Sequence, residues 1–444
     1  MKIAFVNQPI DTILPPYQTS VGACTYGLAC SLARLCDVAA YGLQDRHAGA
    51  DVVSASHNVT FRFLPSTLSD RFVYKVRSTS SKFGIRLSPD STSRWQFPAF
   101  GRQVAADLQD QQCDVIHLQH CSQYAPVIRA FNPLAKIVLH LHAEWFYQNT
   151  PALLRPRLNA VDLVTTVSDY VTSKTRQAFP QIRYRCETTY NGIDSNEFSR
   201  EKDYLDSRHR EEKLIMYAGA VSPHKGLHVL IDAFTIVVKQ LPNVRLNIIG
   251  FQGTYSLNET FDTSDRTLLT SLAPFYRKNR MARLKAKLSL APRDAGTYVS
   301  YLKQQLSPEI ARKVNFLGLI PRSDLVASYY DADVFAFPSI WDEGFGIPPV
   351  EAMAAGVPVV ASRSGAVPET VKDGETGFVV DKNDVDGLAR ALLMLLKDDC
   401  LRKHMGRAGR QRVLENFTWN RVADSMYTRY QGLCATDRRK SSIT

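Results

Sequence analysis

Short apolar segments alternate with amphipathic segments along the first half of the chain, and the same alternation begins again in the second half. Buried strands are predicted in the first half at Lys2–Asn7, Val38–Tyr41, Val59–Phe63, Val115–Leu118, Ile137–Leu141, Leu163–Thr166 and Thr188–Tyr190. They are predicted in the second half at Leu214–Ala218, Arg245–Ile249, Val314–Leu317, Val334–Phe337, Val357–Ala361 and Phe378–Val380. Helices are expected between them, for example Ala23–Leu35. Strands that alternate with helices build parallel, doubly wound sheets, so the sequence predicts an α/β fold with two Rossmann-like domains.

The chain has 444 residues, which is too long for one ordinary core and favours two domains of roughly 200 residues each. Asn191-Gly192 is a turn signal, and the charged stretch from Arg200 to Lys213 fits an exposed linker. We therefore expect domains at 1–198 and 199–416, and a disordered tail at 435–444.

The net charge of +11 favours anionic partners, such as nucleotide phosphates, anionic lipid headgroups or lipid-linked diphosphates. Two basic clusters carry much of this charge: Arg71, Lys75, Arg77, Lys82, Arg86, Arg94 and Arg102, then Arg277, Lys278, Arg280, Arg283, Lys285, Lys287 and Arg293. Leucines and a methionine interleave the second cluster, which fits a membrane-surface helix as well as a solvated helix packed by one face. Neither cluster has the aromatics and glycines of a single-strand binder, so no nucleic-acid partner is expected.

The eight cysteines show no CxxC pair and no metal-knuckle spacing, so disulfide and metal frameworks are not indicated. We find no apolar run of the ~18 residues that a membrane span needs. The apolar opening Met1–Val6 is cut by Asn7 and Gln8, which is too short for a signal-peptide core. These features predict a cytoplasmic protein, with peripheral contact to the inner membrane face left open.

The segment from Pro338 to Gly356 carries the most specific chemical signal. Glu343 and Glu351 flank a glycine-containing turn that leads into a helix, and Pro348-Pro349 suit the first helical turn because missing N–H groups cost nothing there. Free amides and the positive dipole end of a helix suit a phosphate, while glycines allow close approach to the backbone. Amides for a diphosphate and carboxylates for sugar hydroxyls point to a nucleotide sugar. The alternative is that both glutamates are only favoured by the helix dipole.

This segment resembles the E-x7-E signature of retaining glycosyltransferases, in particular glycosyltransferase family 4 with its GT-B fold of two Rossmann-like domains facing a central cleft. The resemblance continues in Gly356–Ser362, Gly365–Glu369 and Asp373–Phe378, and Tyr190–Asp194 resembles the family's linker. It implies a hexosyltransferase that moves a hexose from a UDP-, GDP- or ADP-linked donor to an acceptor hydroxyl, in polysaccharide or glycolipid synthesis. It also implies that residues 417–434 form a last helix that crosses back to the first domain.

The resemblance assigns Glu351 to the ribose hydroxyls of the donor and Glu343 to the hydroxyls of its hexose. Gly344, Phe345, Gly346 and Ile347 complete this donor-binding loop. Lys225, which follows Gly219 in a strand-turn-helix segment, matches the lysine that stabilises the leaving diphosphate. The family's arginine is replaced by Ala220, for which His224 or Arg363 could substitute; a helix-start lysine on the surface is the alternative for Lys225.

In the first half, Gly22 matches the family's glycine-rich loop, whose amide would face the phosphate, although a plain helix cap is an equally simple interpretation. His142 matches a histidine near the reacting carbon, and His140 or Glu144 could take its place because one residue of misalignment moves the role. His120 is placed on the acceptor side. Each histidine could instead be satisfied within the fold.

Asp331-Ala332-Asp333 spells the metal-binding DxD of another glycosyltransferase fold, but it begins a strand and so lies at the edge opposite the ligand crevice. No metal and no cofactor are therefore expected. The resemblance implies that the donor base is recognised through backbone groups near Leu319-Ile320, so the sequence does not identify the base. The acceptor is expected to bind segments that the resemblance does not cover, such as 252–300. Two rival functions remain: a catalytically silent GT-B binding or scaffold subunit, favoured by Ala220 and Val21, and a nucleotide-sugar epimerase.

Overall fold

The computed structural model describes residues 1–16, 18–44, 52–82, 96–143, 146, 151–204, 212–252, 266–277 and 297–441. Its strands are β1 Lys2–Val6, β2 Asp37–Leu43, β3 Val52–Ser56, β4 Val59–Leu64, β5 Val115–Gln119, β6 Lys136–Leu141, β7 Leu163–Thr166, β8 Cys186–Thr188, β9 Lys213–Ala218, β10 Val244–Ile249, β11 Val314–Gly318, β12 Val334–Phe337, β13 Val359–Ser362 and β14 Gly377–Val380. Its α-helices are α1 Ser20–Leu32, α2 Leu68–Lys82, α3 Pro98–Gln111, α4 Ala125–Phe131, α5 Pro151–Asn159, α6 Asp169–Ala178, α7 Leu227–Gln240, α8 Arg266–Arg277, α9 Tyr298–Gln305, α10 Pro308–Ala311, α11 Arg322–Asp331, α12 Ile347–Ala354, α13 Val367–Thr370, α14 Val385–Lys397, α15 Asp399–Asn416 and α16 Trp419–Ser441. Short 3-10 turns cover Ser122–Tyr124, Pro180–Arg185 and Pro223–Lys225.

The chain divides into two compact units. Unit 1 is Met1–Gly192 together with Phe417–Thr444, and unit 2 is Ile193–Asn416. The division after Gly192 coincides with the Asn191-Gly192 turn, whereas the sequence predicts the boundary after residue 198. Helix α16 belongs to unit 1, where it packs against α1.

Unit 1 contains a sheet of strand order β3-β4-β2-β1-β5-β6-β7-β8 within the described residues. All of these pairs are parallel except β3 with β4. Unit 2 contains a sheet of order β11-β10-β9-β12-β13-β14, and its pairs are all parallel in the part of the chain described. The two predicted doubly wound sheets are confirmed, and both have helices packed on apolar strands that are buried on two faces.

Ligands of such sheets bind outside the carboxyl ends of the strands, where the strand order reverses. In unit 2 this switch point lies between the neighbouring strands β9 and β12. The segment that follows β9 carries Gly219 and Lys225, and the segment that follows β12 carries Glu343 and the start of α12. The topology thus brings two distant parts of the sequence to one edge of one sheet.

The antiparallel edge strand β3 was missed. It joins β4 through the two-residue turn His57-Asn58, in which both residues have positive φ, 52° and 62°. Two-residue turns of this kind fit the twist of a hairpin, and their usual signal is Asn-Gly or Asp-Gly. His57-Asn58 lacks that signal, so the pattern of a purely parallel sheet was favoured.

Several predicted boundaries also differ. Helix α1 starts at Ser20 rather than Ala23, because the Thr19 hydroxyl caps it by accepting the Gly22 N–H. Strand β8 covers Cys186–Thr188, whereas Thr188–Tyr190 is predicted. Strand β13 starts at Val359 instead of Val357. The tail predicted to be disordered from 435 is helical as far as Ser441. It contains no proline or glycine that would stop α16.

Gly226 lets the Lys225 turn lie against the strand that leads to Glu343. Its φ is +72°, and a Cβ added there would come within 2.0 Å of the Pro338 carbonyl oxygen. Gly374 has a similar φ of +77° but has nothing within 4 Å of such a Cβ. Substitutions at these two glycines can therefore distinguish the energetic cost of backbone strain from the cost of steric overlap.

We predict that Gly374→Ala lowers the free energy of unfolding by about 1 kcal/mol, the cost of a left-handed conformation. Gly226→Ala should lower it by about 3 kcal/mol or more, because the overlap with Pro338 is added to the same strain. Denaturant unfolding of both variants measures the difference. Equal losses would show that Pro338 does not confine the turn.

Candidate functional site

The donor loop predicted from sequence forms the entry to helix α12. Gly346 caps this helix with φ +88°, and prolines occupy positions 348 and 349. The first four N–H groups of a helix have no partner within it, and prolines have none to offer. Free amides at this end therefore come from Gly346 and Ile347, and Gly344 and Phe345 precede them in the sequence.

Lys225 and Glu343 form an ion pair. The Lys225 Nζ lies 2.7 Å from Glu343 Oε1 and 2.9 Å from Oε2, and both side chains are mostly buried. Ser339 Oγ donates to Glu343 Oε1 at 2.6 Å. The structure thus brings together two residues that the resemblance assigned to one donor, and it adds Ser339, which the sequence analysis did not single out.

The backbone of Glu343 is held by the loop after β13. The Ala366 N–H donates to the Glu343 carbonyl at 2.9 Å. A Cβ on Gly365 would lie 2.4 Å from the same carbonyl oxygen. The Gly365-Ala366 segment therefore fixes the position of the Glu343 backbone. From the sequence, this segment was only part of the family pattern.

Glu351 lies one turn inside α12 and is 7% exposed. Its Oε1 accepts from Arg322 Nη1 at 2.5 Å, and its Oε2 accepts from Tyr329 Oη at 2.8 Å. Neither Arg322 nor Tyr329 was predicted. They stand seven residues apart on α11, which places both on one helix face, and that spacing is the only signal the sequence offered.

The position of the missing arginine lies directly after Gly219, which has φ +147° at the end of β9. The Ala220 carbonyl accepts from Tyr217 Oη at 2.8 Å. Burial, and then the neighbouring Lys225, hold the pKa of His224 well below its usual range. His224 is therefore neutral and does not replace the arginine's charge, contrary to one expectation. Arg363 is exposed and forms an ion pair with Asp381 at 3.5 Å, and it remains a candidate.

In unit 1, His120 and His142 follow β5 and β6 and lie together. The His142 N–H donates to His120 Nδ1 at 3.2 Å, and His142 Nε2 lies 2.6 Å from Gln119 Oε1. Burial lowers the pKa of His120 to about 4, and burial with His140 and His120 holds that of His142 well below its usual range. Both rings are neutral at pH 7, so they can serve as hydrogen-bonding groups but not as cations.

Two other first-half candidates, Gly22 and His140, also have hydrogen-bond partners within the fold. The Gly22 N–H donates to Thr19 Oγ1 at 3.2 Å, which is the plain helix cap, and a Cβ there would lie 1.9 Å from the Thr12 carbonyl oxygen. His140 Nδ1 lies 2.7 Å from Thr165 Oγ1. Glu144 lies outside the described residues. Of the first-half candidates, His120 and His142 thus lie at the carboxyl edge of the unit 1 sheet, and the roles of all these candidates stay predictions.

In the Asp331-Ala332-Asp333 segment, Asp333 makes structural contacts within unit 2. Asp333 is completely buried, accepts from the Leu214 N–H at 2.8 Å and lies 3.5 Å from Arg402 Nε. Across the described part of the chain, no three His, Cys, Asp or Glu side chains are grouped so that they could hold a metal ion.

Comparison with known proteins assigns the family. Residues 200–412 match the model for glycosyl transferases group 1, and residues 23–197 match the model for glycosyltransferase family 4. Spore coat protein SA of Bacillus subtilis is 24% identical over 398 residues, covering 86% of this chain and 92% of that protein. A GDP-mannose-dependent alpha-(1-6)-phosphatidylinositol monomannoside mannosyltransferase of Mycolicibacterium smegmatis is 32% identical over 274 residues, covering 59% and 60%.

A crystal structure of Anabaena HepE in complex with UDP and glucose has the same fold, with a TM-score of 0.66 at 18% identity over 97% of this chain and 100% of that one. The expected GT-B fold is therefore confirmed. The chain belongs to the family 4 glycosyltransferases.

Proposed function

We propose that this glycosyltransferase moves a hexose from a nucleoside diphosphate sugar to an acceptor hydroxyl with retention of the anomeric configuration. The observation that carries the proposal is the Lys225–Glu343 pair at the switch point of unit 2, next to the free amides of α12. One cation, one carboxylate and a helix N-terminus are the groups that a diphosphate joined to a sugar requires.

Lys225 and Glu343 neutralise each other before the donor binds. A diphosphate that reaches the amides of Gly346 and Ile347 competes for the Lys225 ammonium, because phosphate oxygens are strong partners for it. Glu343 is then released as an acceptor for hydroxyls of the hexose. Ser339 stays bonded to the Glu343 carboxylate and limits how far it swings.

In the proposed reaction the bond from the anomeric carbon to the phosphate oxygen breaks and a bond to the acceptor oxygen forms on the same face. The departing phosphate takes the acceptor proton, so no protein nucleophile is needed. Lys225 and the α12 amides stabilise the charge that grows on the leaving diphosphate, which is why we propose transfer without a metal. Glu351 accepts the ribose hydroxyls.

Unit 1 is proposed to bind the acceptor. His142 and His120 are neutral and lie at the carboxyl edge of its sheet, where they can hydrogen-bond acceptor hydroxyls. A polysaccharide or glycolipid acceptor is supported by the mannosyltransferase relative, whose name specifies a phosphatidylinositol mannoside. That relative uses GDP-mannose, while the HepE structure holds UDP and glucose, so the base and sugar of the donor must be tested directly.

Helix α2 supports a peripheral contact with an anionic membrane. Its buried Asp70 accepts the N–H groups of Ala99 and Phe100 at 3.1 and 3.0 Å, which fixes one face of α2 on the start of α3. Leu68 and Phe72, four residues apart on the outward face, are 82% and 69% exposed.

Val76 continues this apolar stripe, and Arg71 and Lys75 are exposed beside it. A helix with an exposed apolar stripe flanked by cations suits an anionic lipid surface. No helix in the ranges described is long and apolar enough to cross a bilayer. The second basic cluster starts at the end of α8, and the rest of it lies outside the described residues.

We predict that one nucleotide series among UDP-, GDP- and ADP-sugars raises the melting temperature of the protein, and that the Glu351→Ala variant loses this shift. Glu375→Gln, an exposed carboxylate of unit 2, should keep it. With that donor and an acceptor, nuclear magnetic resonance of the product should show the donor's anomeric configuration. No shift with any series would favour the silent binding subunit, and an inverted product would contradict the retaining mechanism.

We predict that the protein sediments with phosphatidylcholine vesicles that contain phosphatidylglycerol, and that Leu68→Ser/Phe72→Ser abolishes this. Arg71→Gln/Lys75→Gln should weaken it about 30-fold, since each cation near the surface contributes about 1 kcal/mol. The matched pair Lys174→Gln/Lys239→Gln removes the same charge elsewhere and should have little effect. Sedimentation that is unchanged in the α2 variants would contradict the assignment of this helix.

A further inference from the structure

Arg322 joins Glu351 to a second carboxylate. Arg322 is the first residue of α11, and its Nη1 lies 2.5 Å from Glu351 Oε1. Its Nη2 lies 2.6 Å from Glu197 Oε2, and its Nε lies 3.1 Å from the same oxygen. One planar guanidinium therefore faces two carboxylates, which is the fork geometry that arginine supplies and lysine does not.

The second oxygen of Glu351 is held from the same helix. Tyr329 is completely buried, and its Oη donates to Glu351 Oε2. Burial, and then Glu351 itself, hold the pKa of this phenol well above its usual range, so it remains a hydrogen-bond donor at any working pH. Both oxygens of Glu351 thus have a donor from α11, and the carboxylate cannot rotate without losing one.

The other side of Arg322 is also fixed. Phe198, which is buried beside Glu197 in the sequence, has its ring centre 5.8 Å from the guanidinium carbon. The Glu197-Phe198 segment therefore holds Arg322 by charge and by ring contact. Arg322 and Glu197 are partly exposed, whereas the Glu351 side chain is only 9% exposed. Arg322, held by Glu197, supplies the counter-charge of the buried Glu351 carboxylate, because a buried charge without a partner is costly.

The charges argue against direct contact between Arg322 and the diphosphate. Arg322 with Glu197 and Glu351 has a net charge of about −1, since one cation faces two carboxylates. The guanidinium already donates from Nε, Nη1 and Nη2. Such a group repels phosphate and leaves Lys225 and the α12 amides as the diphosphate site.

We propose that Arg322 and Glu197 are positioning residues that hold Glu351 in the orientation that accepts the ribose hydroxyls of the donor nucleotide. The inference rests on the proposed function, in which Glu351 binds the ribose. Because the ribose is far from the bonds that change, a loosened Glu351 weakens the binding of substrate and product alike. The variants should therefore raise KM while kcat changes little.

The test compares nucleotides with and without ribose hydroxyls. UDP, GDP and ADP, each beside its 2′,3′-dideoxy counterpart, are titrated into the protein by calorimetry. For the base that binds, the wild type should prefer the ribonucleotide by at least ~10-fold, because hydrogen bonds to a charged group are lost in the analogue. Arg322→Gln and Glu197→Gln should reduce this preference to about 2-fold or less, with the affinity for the dideoxy form unchanged.

Two further variants guard against misfolding. Arg322→Lys keeps the charge but not the fork, and it should recover only part of the preference. Arg245→Gln removes the arginine of another ion pair in unit 2, with Glu212, and should leave the preference intact. Melting temperatures are recorded for all variants, so a general loss of folding is recognised by a lowered melting temperature, independently of nucleotide binding.

An equal loss of affinity for both forms in a folded Arg322→Gln variant would overturn the inference, because it would mean contact with the phosphates. A wild-type preference that persists in Arg322→Gln and Glu197→Gln would overturn it as well. If no nucleotide binds the wild type, the proposed function fails and this inference fails with it. Binding of the wild type with unaltered discrimination in the variants leaves the proposed function standing and removes only the inference.

Discussion

The Lys225–Glu343 ion pair connects two loops that are 118 residues apart in the sequence. It forms because β9 and β12 are neighbours in unit 2, and parallel strands end at the same edge. A glycine allows close backbone packing beside each partner. Gly226 lets the Lys225 turn pack against the Pro338 carbonyl, and Gly365 lets the loop after β13 pack against the Glu343 carbonyl. The proposed donor site therefore depends on close backbone packing, which fixes the positions of its two charged side chains.

Each carboxylate of the E-x7-E segment has its own set of partners. Glu343 faces a lysine and a serine, and in the proposed function the lysine exchanges Glu343 for a phosphate. Glu351 faces an arginine that is itself held by Glu197, and a tyrosine whose pKa is held well above its usual range by burial. The first carboxylate is thus arranged to change partner and the second to stay in place. This difference matches the roles proposed for them, since the hexose reacts and the ribose does not.

The sequence predicted the alternating strands well, because buried parallel strands are short apolar runs whose pattern is local. It singled out Lys225, Glu343 and Glu351 as candidate site residues because they lie in contiguous motifs, and their roles stay predictions. It did not predict β3, whose hairpin turn His57-Asn58 lacks a glycine. Nor did it predict Arg322 or Glu197, because their partnership is set by tertiary contacts between segments 125 residues apart. His224 was assigned a possible charge that its burial removes, and burial cannot be read from a single residue.

Ala220 leaves the proposed donor site with one cation fewer than the family pattern that the sequence resembles. The proposed site meets this with Lys225 and with the amides of Gly346 and Ile347, which carry part of the positive charge at the end of α12. The most direct test of this account is a crystal structure of the protein with the nucleoside diphosphate that binds it best. The account predicts that Lys225 Nζ leaves Glu343 and contacts a phosphate oxygen within hydrogen-bond distance, while Glu351 keeps Arg322 and Tyr329 and accepts a ribose hydroxyl. A bound nucleotide with the Lys225–Glu343 pair unbroken, or with its phosphates away from α12, would contradict it.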